Sequence, residues 1–147
     1  MSNISNKIEA AHQSLYQVLN EKKYSVDYFQ REYSWQKTHI QQLVMDLTSA
    51  FLNEYTEGDL RKNVQNYNSY YLGPFVVSAA EDGSLSIIDG QQRLTSLTLF
   101  LIFLNHYQKE LGENLNIAPM IFSEKFGEKT FNIQVEERLA CFNALFE

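Results

Sequence analysis

A single cysteine, Cys141, is all the chain contains, which excludes an internal disulfide and any zinc site built from several thiolates. The six glycines, at positions 58, 73, 83, 90, 112 and 127, never take the Gly-x-x-x-x-Gly-Lys spacing. A Walker-type phosphate loop is therefore absent, and any nucleotide must be held in another way. His12, His39 and His106 are isolated, with no His-x-x-x-His pair, so no metal site made of protein ligands alone is expected. No Gly-x-Ser-x-Gly elbow occurs, which removes support for serine hydrolase chemistry. The longest apolar run, Leu97 to Leu104, is interrupted by Thr98 and falls far short of the roughly 20 residues a bilayer requires. The first residues lack the charged-then-apolar pattern of a secretory signal. The expected location is the cytoplasm, away from membranes.

Positive charge is also scarce, with 12 Lys and Arg against 18 Asp and Glu and a formal net charge of -6. Such a field repels polyanions, so DNA binding by this segment alone is disfavoured and any nucleic-acid contact needs a local basic site. What the chain does have is 44% hydrophobic and 14% aromatic residues, an ordinary globular composition. At 147 residues it fits one domain, spanning 1–147, that buries about two thirds of its unfolded surface. No internal repeat is visible, and the polar stretch from Glu57 to Ser69 reads as a long surface loop.

Periodicity predicts an α+β domain. Ile8, Ala11, Leu15, Val18 and Leu19 recur at helical spacing over Ile8 to Asn20. Tyr24, Val26 and Tyr28 alternate as a short strand, and Ser34 is a candidate N-cap for the next helix. In that helix Ile40, Leu43, Val44, Leu47, Ala50 and Phe51 form one apolar face, with Gly58 as its expected end. Tyr71 to Ala79 reads as a strand, Asp82-Gly83 as a tight hairpin turn, and Leu85 to Ile88 as the returning strand. After Gly90 comes a helix apolar almost all round, expected under the sheet with little exposure and ending near Gly112. A strand at about Thr130 to Gln134 and a helix with Val135, Leu139, Phe142 and Leu145 close the pattern. Cys141 falls on that last helix and is expected to be inert. The helix is still periodic at Glu147 without a capping signal, so a longer polypeptide is expected.

The chemistry concentrates in Asp89-Gly90-Gln91-Gln92-Arg93, between a strand and a helix. Glycine there lets the backbone approach a ligand closely, and the free N–H groups of a first helical turn attract anions. Arg93 in that turn opposes the helix dipole unless a negative group offsets it, and a phosphate is such a group. Asp89 is then placed to orient water or hold Mg2+ between phosphates, and Gln91 and Gln92 offer amide donors. A plainer reading stays open: Asp89 as N-cap, Gln92 closing a capping box at N3, and Arg93 paired to a core carboxylate. The second element, Phe29-Gln30-Arg31-Glu32-Tyr33-Ser34-Trp35, likewise has two readings. Arg31 either contributes to a site or merely stacks on Trp35 and pairs with Glu32.

These two boxes, joined by Leu72-Gly73-Pro74 and by the run from Ile87 to Leu97, resemble the amino-terminal domain of GmrSD-type modification-dependent restriction proteins over roughly residues 12 to 110. The resemblance implies a ParB/sulfiredoxin-like fold, a small mixed sheet packed with helices. It implies phage defence by sensing modified DNA and hydrolysing a nucleoside triphosphate, often GTP, with Mg2+, and usually a nuclease domain elsewhere. On it Asp89 and Arg93 are the catalytic candidates, Gly90, Gln91 and Gln92 complete the nucleotide site, and Gln30 and Arg31 lie beside it. DNA would be met only in the context of the full protein. One departure is Val26-Asp27, where members commonly carry proline and where Asp27 adds negative charge. Sulfiredoxin has its catalytic cysteine in the corresponding turn, whereas glutamines follow Gly90 here, so thiol chemistry is excluded. The alternative is a non-enzymatic DNA- or protein-binding module that uses the Asp89 turn only for structure.

Overall fold

The computed structural model describes residues 8–26 and 32–147. The expected Tyr28 end of the first strand, and Asp27, Gln30 and Arg31, lie outside these residues. Four strands form a mixed sheet in the order β2-β3-β1-β6: β1 (Tyr24–Val26), β2 (Val76–Ala79), β3 (Leu85–Asp89) and β6 (Ile133–Gln134). β2 and β3 are antiparallel, while β1 runs parallel to both β3 and β6. A separate antiparallel hairpin joins β4 (Phe122–Lys125) to β5 (Glu128–Phe131). The helices are α1 (Leu15–Leu19), α2 (Lys37–Glu54), α3 (Gln91–Glu110) and α4 (Glu136–Phe146), with 3-10 turns at Arg61–Asn66 and Ala118–Met120. The mixed α and β content agrees with the class expected from periodicity.

Register explains the core. Pairing Tyr24 with Leu85 and Ile133, and Val26 with Ile87, puts Tyr24, Val26, Ile87 and Ile133 on one buried face. Leu94, Leu101 and Ile102 of α3 belong to the same cluster, as do Phe131, Val135 and Phe142. α3 is not buried all round as expected: Phe103 is 58% exposed, while Thr95, Ser96, Thr98 and Asn105 are buried. The hydroxyls of Ser96 and Thr98 donate to the carbonyls of Gln92 and Leu94, so α3 supplies its own partners for these two groups.

Several boundaries differ from the sequence pattern for local reasons. α1 starts only at Leu15 because Ser14 and Gln17 form a capping box, and the residues before it are exposed. α2 is capped by Gln36, whose N–H donates to His39 Nδ1, rather than by Ser34. It ends at Glu54, short of Gly58. Only Leu43 of its apolar face is fully buried, and Phe51 is exposed beside Tyr55 and Tyr67. The loop that follows contains the Arg61–Asn66 turn.

The strand expected from Tyr71 begins at Val76, after Gly73 (φ +92) and Pro74 have turned the chain. The hairpin expected at Asp82-Gly83 forms, with Ala80 and Ser84 joined across the turn, but of the two residues expected at positive φ only Gly83 is there, at φ +80. The strand expected at Thr130 to Gln134 is broken by Asn132, which is fully buried. Its side chain donates to the carbonyls of Leu19 and Pro119 and accepts from Ser123 Oγ. β4 was not legible in the pattern; Phe126 and Gly127, both at positive φ, close its hairpin. On α4, Arg138 and Phe142 are buried, whereas Leu145 and Cys141 are exposed. Among the described residues no helix is long and apolar enough to cross a membrane.

Candidate functional site

The site is built where β3 hands over to α3. Gly90, not Asp89, is the N-cap of α3, in the left-handed region at φ 93. A Cβ at this position would lie 2.5 Å from the ring of Phe75, so no side chain fits and the backbone is left bare. The first helical bond runs from Leu94 N–H to the Gly90 carbonyl. Among the described residues nothing accepts the N–H groups of Gln91, Gln92 and Arg93, and α3 has no side-chain cap. Three donors and the positive end of a 20-residue helix thus open on one spot, an arrangement suited to an oxyanion.

The capping-box reading of this turn does not hold. With Gly90 as N-cap, Gln92 stands at N2 and Arg93 at N3, and Asp89 is outside the helix. The Asp89 side chain is exposed and Oδ1 accepts the Gly90 N–H at 2.9 Å. The expected pairing of Arg93 with a core carboxylate is replaced by a carbonyl: Arg93 Nη1 donates to Pro74 O at 3.2 Å and its guanidinium sits 5.4 Å above the Phe75 ring. Among the described residues no carboxylate pairs with Arg93.

Gln92 has a different task from that of a free amide donor. Its Oε1 accepts the backbone N–H groups of Ser34 (2.9 Å) and Trp35 (3.3 Å), and its Nε2 donates to the Glu32 carbonyl at 2.6 Å. Gln91 Nε2 reaches the same carbonyl at 3.4 Å. The Gln91 side chain is only 7% exposed, and its buried Oε1 has no hydrogen-bond partner among the described residues. The segment 32–35 is thereby clamped to the first turn of α3. The Tyr33 hydroxyl adds a 2.8 Å bond to Ser96 Oγ.

A cavity of about 470 Å³ is lined by Glu32 and Trp35 of one segment and by residues 88–93 of the other. All five residues of the Asp-Gly-Gln-Gln-Arg box line it. Gln30 and Arg31 lie outside the described residues. Elsewhere His39 and His106 are engaged with backbone groups, and no three His, Cys, Asp or Glu side chains converge among the described residues.

Sequence reasoning passed over two supports of this site. Gly73 and Phe75 form the slot for Arg93, and their signal was the Gly-Pro pair ahead of a strand. Arg138 is buried on α4, donates through Nη1 to Thr95 Oγ1 at 2.6 Å and lies 5.5 Å above the Tyr33 ring. Burial lowers its pKa, while Tyr33 and Glu137 act in the opposite sense; a guanidinium stays charged regardless. An arginine on an apolar helix face was its only trace in the sequence.

A search of curated proteins finds no match to the chain. The family model for the N-terminal domain of GmrSD restriction endonucleases matches residues 15–146, which includes both boxes and extends beyond the resemblance seen by motif. The chain therefore belongs to the family of GmrSD restriction endonuclease N-terminal domains, and its role lies in restriction and defence.

Proposed function

We propose that this domain binds a nucleoside triphosphate, GTP among the candidates, together with Mg2+, and hydrolyses it for a restriction protein that senses modified DNA. The observation that carries the reading is the set of three amides at residues 91–93 that find no acceptor among the described residues, beside an arginine that finds no carboxylate partner among them. Phosphate oxygens are the acceptors such a cradle suits. The bare backbone at Gly90 leaves room for their approach.

In this reading the amides of Gln91, Gln92 and Arg93 hold the phosphate tail, and the Arg93 guanidinium neutralises charge that builds as the terminal phosphoryl group transfers. Water attacks the terminal phosphorus, the bridging P–O bond breaks, and nucleoside diphosphate and inorganic phosphate leave. Mg2+ is commonly held by one or two carboxylates plus substrate phosphates. Asp89, at the lip of the cavity, fits as one ligand or as the residue that orients water. Gln91 and Gln92 contribute backbone donors, and the Gln92 side chain keeps segment 32–35 against them. Gln30 and Arg31, just ahead of that segment, are assigned to nucleotide contact or to sensing of the modification. The net charge of -6 reserves DNA contact for the full protein, with a nuclease domain or subunit supplying cleavage, in the cytoplasm and off the membrane.

Phosphate release from GTP, CTP and ATP with Mg2+, compared among the unaltered chain, Asp89→Ala and Arg93→Ala, tests the reading. Loss of release in both variants is expected. Equal release from all three proteins would remove the catalytic assignment.

A further inference from the structure

We infer that the indole of Trp35 is the stacking platform for the base of the bound nucleotide, so that the cavity selects nucleotides over bare polyphosphates. This rests on the nucleotide reading above and adds a residue to it.

The residues that line the cavity are of different chemical kinds. Residues 90–93 offer backbone donors and a guanidinium, Glu32 and Asp89 bring carboxylates, and Trp35 is the aromatic residue among the described residues that line it. A phosphate tail is drawn to the amides and the guanidinium. The part of the ligand left beside Trp35 is then its base. Every nucleobase has a π-face that stacks on an aromatic ring.

Trp35 is anchored beside these amides. Its backbone N–H donates to Gln92 Oε1 at 3.3 Å, so the residue that supplies one of the cradle amides also fixes Trp35 relative to them. His39 braces the indole, with ring centroids 5.7 Å apart and planes at 31°. Trp35 is half-buried, with part of its surface in the cavity wall. About 470 Å³ also lies within the range of small-ligand and cofactor pockets, roughly 300–1,000 Å³.

Trp35 is the only tryptophan in the chain, so emission excited at 295 nm reports on this wall alone. The experiment titrates the whole chain, with Mg2+ present, against GTP and against inorganic tripolyphosphate, by calorimetry and by emission. It repeats the calorimetry on Trp35→Phe and Trp35→Ala. GTP is expected to quench emission and to bind roughly 5- to 150-fold more tightly than tripolyphosphate, the strength of one base on one ring. Tripolyphosphate should bind without that quenching. Trp35→Ala should lose the preference for GTP and Trp35→Phe should keep most of it. Unchanged tripolyphosphate affinity in both variants would show an intact cradle. If tripolyphosphate binds as well as GTP, or if Trp35→Ala retains the preference, the platform is wrong while the phosphate cradle stands. If neither ligand binds the unaltered chain, the platform and the nucleotide reading fail together.

Discussion

The guanidinium of Arg93 occupies the space that a side chain at residue 73 would need: a Cβ on Gly73 would stand 2.8 Å from Nη1 and 3.0 Å from Cζ. Gly73 also holds φ +92, which side chains rarely adopt. Gly73→Ala therefore combines a strain of about 1–2 kcal/mol with displacement of Arg93. A lower melting temperature and weaker GTP binding are expected together. A variant that melts lower yet binds GTP unchanged would separate Arg93 from the ligand.

Gly90 and Gly83 make a matched pair for testing the bare backbone. Both have positive φ, but a Cβ at Gly83 meets open space while one at Gly90 meets the Phe75 ring at 2.5 Å. Gly83→Ala should cost about 1–2 kcal/mol from conformation alone. Gly90→Ala should cost more by at least about 1 kcal/mol, the usual cost of overpacking, in urea unfolding. Equal costs would mean that Phe75 yields freely.

Gln92 clamps segment 32–35 through three bonds to backbone groups. Gln92→Ala is expected to destabilise the fold by about 1–3 kcal/mol, since partners are left without a mate. Gln92→Glu should not restore the clamp at neutral pH, because a carboxylate accepts from Ser34 and Trp35 but cannot donate to the Glu32 carbonyl. Trp35 emission should shift towards that of an exposed indole in both variants. Wild-type stability for Gln92→Glu would contradict the donor role of Nε2.

These relationships mark what was legible in the sequence. The Asp82-Gly83 turn, the glycine after β3 and the end of α3 near Gly112 were legible because each is decided by residues a few positions apart. Ser34 was misread as an N-cap because the chain at 34 and 35 is tied to Gln92, 58 residues from Ser34, and the helix starts only after Gln36. The break at Asn132 was invisible because one of its partners is the Leu19 carbonyl, 113 residues away. Arg93 looked like half of an ion pair, and its actual partners are a carbonyl and an aromatic ring supplied by residues 74 and 75. Long-range bonds to backbone groups leave no periodic signal, so the box was found while the way it is assembled was not.

Away from the site, the Tyr67 hydroxyl donates to Asp59 Oδ2 at 2.7 Å. That bond raises the Tyr67 hydroxyl to about 12 and, with the Thr56 N–H, holds the Asp59 carboxyl below its ordinary range. The tyrosine contribution to stability is complete below the unfolded value of about 10 and is lost as pH rises through about 12. The aspartate contribution is present above about 3.9 and is lost as pH falls through its lower folded value. An ultraviolet titration should show one of the nine tyrosines ionising near 12, and Asp59→Asn should bring it towards 10. A titration unchanged by Asp59→Asn would contradict the bond.

The most direct test of the cradle is a nitrogen–proton correlation spectrum of the labelled chain as GTP and Mg2+ are added. The backbone amides of Gln91, Gln92 and Arg93 should move furthest, and their displacement should saturate with a single affinity. Saturable shifts that leave these three amides in place, or no shifts at all at millimolar GTP, would contradict the account.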